Sequence, residues 1–524
     1  MRTVFLVFAL FIFCSAYLCA QQDYAEIDWI RKFIGSDSID ATAKGMVMDK
    51  SGNVYVAIDD FAHPDSTYLY DYVIVKYNSV GDEVFVRRYS NPQAYSNQLR
   101  KIIIDDMNNF YIAGDCEMKT DSGSPYAYIV QKYDCNGNQL WTVWDEATFS
   151  ASSRIWNIEL DNSKNVYIVS WTGDILEYDS NGKQLWKTRD NCAYYSLALD
   201  DSSNIYLAGS TFVRKYNAGK MRQWTVMDSL QPRTIQIDKN NNIYVCGREG
   251  LTKYSPGGSK QWIAVYGDGF YQFDYLSFDN AGNIIVVGRY ADLYADHYAV
   301  IKYTPDGTKL WYGVYACPGS GPLDGPWGPS SICIDMYNNV YISGIGWEGD
   351  GTPNITTIKY SSSCTEKWIM RYVTPLTQGM YEPPNTTVKV DSGGNVYVSG
   401  IIRLDKTSVE TITIKYKQPN FPDAVGKNKL DNYTFQLFPN YPNPFNPSTT
   451  IQYELKRPHF ITLTVYNLLG EEIKTLVQEN QREGVHTTQW DGRDVIGKTV
   501  SSGIYFCRLQ TTNAQKSIKL LFLK

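Results

Sequence analysis

The chain has 524 residues, too many for one ordinary domain and enough for a large core with a smaller one beside it. Its formal net charge of −6 leaves no basic surplus to displace counterions from phosphates, which argues against a nucleic-acid partner. Tyrosine is abundant (42), apolar residues fall in short β-branched and aromatic runs, and long 3.6-residue periodicity is scarce, so the chain is expected to be all-β.

The first twenty residues differ from the rest. Arg2 precedes an apolar run from Val4 to Phe13, and Leu18-Cys19-Ala20 ends the segment in front of Gln21 and Gln22. This is the pattern of a secretory signal peptide cut after Ala20, since a membrane-spanning helix needs about 20 apolar residues. The mature chain is therefore expected to be exported, with no transmembrane segment. Of the ten cysteines, Cys14 and Cys19 leave with the signal, and the rest form no CxxC or metal framework.

From residue 21 one unit recurs: an apolar pair ending in Asp, a turn ending in Asn, then a short strand ending in a small residue. It is keyed by Asp49/Asn53, Asp105/Asn109, Asp161/Asn165, Asp200/Asn204, Asp238/Asn242, Asp279/Asn283, Asp335/Asn339 and Asp391/Asn395. Each unit continues into a second hairpin, with Lys-Tyr (Lys76-Tyr77, Lys132-Tyr133, Lys302-Tyr303) before the turn and a Gly-to-Trp spacing after it (Gly137 to Trp141, Gly182 to Trp186, Gly307 to Trp311). Four short strands with tight turns make one propeller blade, and Asn, Gly and Asp are the residues such turns require. The eighth unit ends at Lys415-Tyr416 without its fourth strand, while Trp29 to Phe33 carries the fourth-strand aromatic spacing ahead of the first. The expected fold is thus an eight-bladed β-propeller over 21–417, closed by its N-terminal strand, which protects strand edges. The repeats resemble those of bacterial β-propeller surface proteins and the tryptophan-docking repeats of quinoprotein-like propellers. Those patterns are structural and recur across unrelated functions.

The key aspartates stand closer together from Asp161 to Asp279 than on either side. The longer blades carry insertions after the second strand and after the fourth, and both connections lie on one face. That enlarged arc contains Asp60, Asp65, Asp115, Glu117, Asp324, Trp327, Trp347, Glu348 and Asp350. Acids beside aromatics suit a glycan, polymer or protein ligand, because rings stack and carboxylates accept hydrogen bonds.

After Tyr416 the composition shifts to a linker, 418–434. The segment 435–524 then alternates as short strands separated by turn signals, the pattern of a small immunoglobulin-like sandwich. Its residues Tyr441-Pro442-Asn443-Pro444-Phe445-Asn446-Pro447, then Val465 to Gly470, Trp490-Asp491-Gly492 and Gly503-Ile504-Tyr505, stand in that order before the final strand. In these motifs the segment resembles the type A sorting domain of the type IX (Por) secretion system of Bacteroidetes-type bacteria. The resemblance implies passage through the periplasm on the signal peptide, then delivery by the type IX machinery to the outer surface or medium.

No catalytic set is recognisable. The four histidines are scattered, and neither a His-Glu-x-x-His motif nor a Gly-x-Ser-x-Gly elbow occurs. The carboxylate pairs Asp105-Asp106 and Asp200-Asp201 fall on the repeat's turn, which accounts for them structurally. No cofactor is expected, with calcium as the alternative: the Asp-to-Asn turns share residue types with calcium loops but lack the alternating ligands and closing Glu. The leading expectation is a non-catalytic ligand-binding or adhesion propeller. The alternative is a secreted propeller enzyme, either a polysaccharide lyase or hydrolase or a quinoprotein-like dehydrogenase.

Overall fold

The computed structural model describes residues 24–35, 40–61, 70–91, 94–118, 126–146, 154–190, 192–267, 269–291, 296–316, 328–347, 353–373, 386–403, 409–419, 435–438, 440–455, 458–467, 471–511 and 515–523. They fall into two compact units, 1–424 and 425–524.

In the first unit the strands form eight four-stranded antiparallel sheets, each in chain order. Strands are lettered A to D from the centre outward. The A strands touch one another around the ring. Blade one comprises Ala41–Met48, Val54–Phe61, Tyr70–Tyr77 and Glu83–Tyr89, and the following blades repeat the plan. The exception is blade eight, whose D strand is Glu26–Phe33, paired with Val409–Lys417 so that Trp29 faces Lys415. The N-terminal strand closes the ring, as its aromatic spacing requires.

The recurring turn between A and B is held by its aspartate. Asp49 Oδ1 accepts the N–H groups of Ser51 and Asn53, while Oδ2 accepts Asn53 Nδ2 at 2.7 Å and the Tyr55 hydroxyl at 3.3 Å. Equivalent bonds recur at Asp105, Asp200 and Asp335. Blade six has Ile285 where the others carry the tyrosine, and there Lys302 Nζ reaches Asp279 Oδ2 at 2.7 Å. The carboxylate keeps its last partner by a different route.

Blades are joined by the tryptophans. Trp141 Nε1 donates to the Ser180 carbonyl of the next blade at 2.9 Å, and Lys132 Nζ reaches the same oxygen at 3.2 Å. Trp262 and Lys253 share the Pro305 carbonyl, and Trp29 and Lys415 share that of Ser79 across the closure. The indole lies against the turn glycine of that next blade: a Cβ on Gly182 (φ 85°) would stand 2.9 Å from Trp141. The glycine thus serves the tryptophan of the preceding blade, not the one four residues later in its own repeat.

Blade eight has no C–D turn to offer blade seven, because its D strand comes from the other end of the chain. Gln418 fills that place. Its Oε1 accepts Trp368 Nε1 at 3.0 Å and Lys359 Nζ at 2.7 Å, and its Nε2 donates to Tyr341 and to the Gly394 carbonyl. Composition puts this residue at the head of the linker; the structure buries it in the seam.

The second unit is an immunoglobulin-like sandwich. Phe435–Leu437, Thr449–Leu455 and Gly484–Trp490 form one sheet; Glu472–Gln481, His459–Tyr466, Gly503–Gln510 and Gln515–Phe522 form the other. Trp490, fully buried, packs against Phe445, Tyr505 and Phe522.

Candidate functional site

In every blade the A–B and C–D turns lie at one end, and the B–C and D–A connections at the other. Asp60, Asp115 and Glu117 belong to the second end but lie within B strands, Val54–Phe61 and Phe110–Met118, rather than in loops. Asp60 is buried and ion-paired with Arg88. Asp115 is buried against Arg100, whose Nε lies 2.7 Å away, and burial holds its carboxyl above the usual range despite that partner. Both acids therefore fasten strands. Glu117 is half-buried and pairs with Tyr126 across the sheet. Asp65, Asp324, Trp327, Glu348 and Asp350 lie outside the described residues. Trp347 ends its strand, and its side chain is likewise outside them.

Beside these pairs sits a further acid. Asp59 accepts the Leu99 N–H at 2.7 Å and lies 3.4 Å from Lys44 Nζ, at the interface of blades one and two. Burial outweighs both contacts and pushes its carboxyl up to about 6. Among the described residues no group of His, Cys, Asp and Glu is gathered as a metal site. A shallow recess of about 500 Å³ at the outer rim is lined by Trp144, Asp145, Tyr178 and Lys187, but Asp145 is tied to Lys187 and to the Tyr178 hydroxyl.

A different feature organises the loop-rich end. In blades one to five and blade seven the A strand carries a β-bulge five residues before the key aspartate. In blade six the irregularity spans the same place, ending at Asp274. A bulge sets two residues against one and re-aims the extra side chain. The bulged residues are Lys44, Arg100, Trp156, Tyr195, Arg233 and Ser330. They form a ring of positions at the inner edge of the loop-rich face, basic and aromatic through blades one to five.

Two of them meet a third aromatic. Trp156 and Trp171 have ring centroids 5.3 Å apart, and Tyr195 stands 5.9 Å from the first and 5.2 Å from the second, edge-on to both. Trp156 is 45% exposed and Trp171 38%. Trp171 begins the short B–C turn of blade three, and this turn is firmly held. Its N–H donates to the Arg154 carbonyl, Gly173 exchanges backbone bonds with Ser170 and Asp190, and Asp174 N–H reaches Ser170 Oγ. Gly173 has φ 92°, and a Cβ there would fall 1.7 Å from the Asp190 carbonyl, so only glycine fits. Asp174 is in turn bonded by the Tyr128 hydroxyl of blade two at 2.6 Å.

The Arg233 guanidinium lies 4.5 Å over the Tyr195 ring, a cation–π contact. The cluster therefore belongs to the trimmed arc, blades three to five. Sequence reasoning looked to the inserted loops and passed over it. The available signal was the position five residues before each key aspartate, where Trp156 and Tyr195 put large rings in place of Lys44 and Arg100.

In the terminal sandwich, the Tyr441 to Pro447 segment is fastened to the last strand. Phe445 exchanges backbone bonds with Leu521 and Leu523, and the Asn443 side chain bonds the Lys519 carbonyl and the Leu521 N–H. Phe445 is buried, whereas Tyr441 is 82% exposed and Pro442, Pro444, Asn446 and Pro447 are open or half-open. Gly503 begins the strand carrying Tyr505, whose hydroxyl donates to the Ser501 carbonyl.

Residues 446–515 match the FlgD Ig-like domain family. No curated protein matches the chain. Among solved structures, BamB from Moraxella catarrhalis is similar at 13% identity over 74% of this chain and 97% of its own, with a TM-score of 0.41. PorZ, a surface component of the type-IX secretion system of Porphyromonas gingivalis, is 12% identical over 92% of this chain and 75% of its own, TM-score 0.36. A fungal copper-complexed alcohol oxidase is 11% identical over 81% and 99%, TM-score 0.39.

Proposed function

We propose that this chain is an exported, non-catalytic binding propeller, carried to the cell surface or medium by type IX secretion, with the terminal sandwich as its sorting domain. The observation that carries the binding reading is the cluster of Trp156, Trp171 and Tyr195, three rings partly open to solvent on rigid elements of the loop-rich face. Exposed aromatics held by a bulge and a pinned turn are pre-organised for stacking, so little entropy is lost when a ligand arrives. Asp60 and Asp115, the two buried acids of the candidate set on that face, are occupied by arginines. That arrangement supports recognition over general acid–base chemistry.

The sorting reading is supported by the Tyr441 to Pro447 segment, which Phe445 and Asn443 fix in place while its remaining residues face solvent as a readable surface. The type IX machinery is the partner this reading names. The test of function is a glycan, polymer and protein array probed with the purified mature chain, with and without calcium, alongside a turnover assay on every hit. Saturable binding without turnover is expected. A blank array, or turnover abolished by single carboxylate changes, would contradict it.

A further inference from the structure

The aromatic cluster has a charge environment that narrows its ligand. Beside Tyr195, Trp156 and Trp171 keep 45% and 38% of their surface exposed, and two arginines border the cluster. Arg233 sits over Tyr195, and among the described residues its guanidinium donates to no acceptor. Arg154, exposed, lends its carbonyl to Trp171, and its guanidinium likewise has no acceptor among the described residues. The nearby carboxylates have other hydrogen-bond partners, Asp115 in Arg100, Asp174 in Tyr128 and Asp274 in Gln272, while the charge of Arg154 also acts on Asp115 and that of Arg233 on Asp274. Stacking faces bordered by arginines with free donors suit a flat apolar ring face joined to a carboxylate. A neutral sugar would leave those donors unused.

We propose that Trp156, Trp171 and Tyr195 bind a uronic-acid residue of an acidic polysaccharide, stacking its sugar ring while Arg233 takes its carboxylate. This rests on the reading above that the loop-rich face binds a ligand. It adds the ligand's class and the residue that reads its charge.

Calorimetry on the full mature chain tests it with three probes: tetragalacturonate, its methyl ester, and a short single-stranded oligonucleotide. The uronate is expected to bind about tenfold more tightly than the ester, the scale of one charge-assisted hydrogen-bonded contact. Arg233→Gln should bring the uronate down to the ester's affinity and leave the ester unchanged. Trp156→Ala should weaken both, with Trp171→Ala as the second variant, each checked for an unchanged melting temperature. Equal affinity for uronate and ester would overturn the charge assignment while leaving a glycan-binding face intact. Binding of the oligonucleotide alone would overturn the sugar assignment. No binding of the three, with a hit elsewhere on the array that depends on Trp156, would overturn the ligand class only. A blank array would remove both this proposal and the reading beneath it.

Discussion

Asp59 sets a pH dependence at the level of a single residue. Its carboxyl is raised to about 6 by burial, against an unfolded value near 3.9. A carboxyl raised in the folded state favours folding when protonated. Its contribution is fully present below about pH 4 and is lost as pH rises through about 6, a change of roughly 3 kcal/mol. Asp59→Asn can keep an oxygen toward the Leu99 N–H, so urea denaturation midpoints of that variant should show less decline between pH 4 and 6 than the wild type. Identical pH profiles would show that Asp59 does not titrate there. Gly182 offers a second residue-scale test. Its φ of 85° and the 2.9 Å approach of Trp141 should make Gly182→Ala cost about 2–4 kcal/mol through left-handed strain and overpacking. Gly257→Ala is the control, with only Ser255 Oγ near its added methyl.

At the scale of elements, the seam between blades seven and eight depends on Gln418. Gln418→Ala removes the oxygen that the Trp368 N–H and the Lys359 ammonium share. Its expected cost is about 3 kcal/mol in chemical denaturation, whereas Gln418→Glu, which keeps an acceptor for both, should cost less. A small loss for the alanine variant would mean that Gln418 is not what holds that seam. The strand pattern, the blade count and the closing role of Trp29 to Phe33 were all legible in the sequence, because the same turn and docking residues repeat eight times. The seam was not legible, since Gln418 occurs once and its role follows from a turn that blade eight lacks. Nor were the bulges. Bulged Lys44, Arg100, Trp156, Tyr195 and Arg233 share no residue type, so the position carries no motif. Asp60 and Asp115 seemed to be loop residues because the B strands of the longer blades continue past their small-residue stop, and only the pairing with Arg88 and Arg100 gives their place.

At the scale of the whole molecule, the chain consists of two units, a propeller ring and an immunoglobulin-like sandwich. If the second is a sorting domain, removing residues 435–524 should leave the propeller in the periplasm of a type IX-competent host. Phe445→Ala, which releases the Tyr441 to Pro447 segment from the last strand, should do the same in fractionation blots. Normal appearance of both forms outside the cell would refute that role. Among the described residues, the exposed cluster of Trp156, Trp171 and Tyr195 stands on the trimmed arc. That placement is the centre of the account, and one comparison tests it: the array hits of the mature wild type against those of Trp156→Ala and Trp347→Ala. The account predicts that hits disappear with Trp156→Ala and survive Trp347→Ala. Hits that survive the first and vanish with the second would put the ligand on the enlarged arc and contradict it.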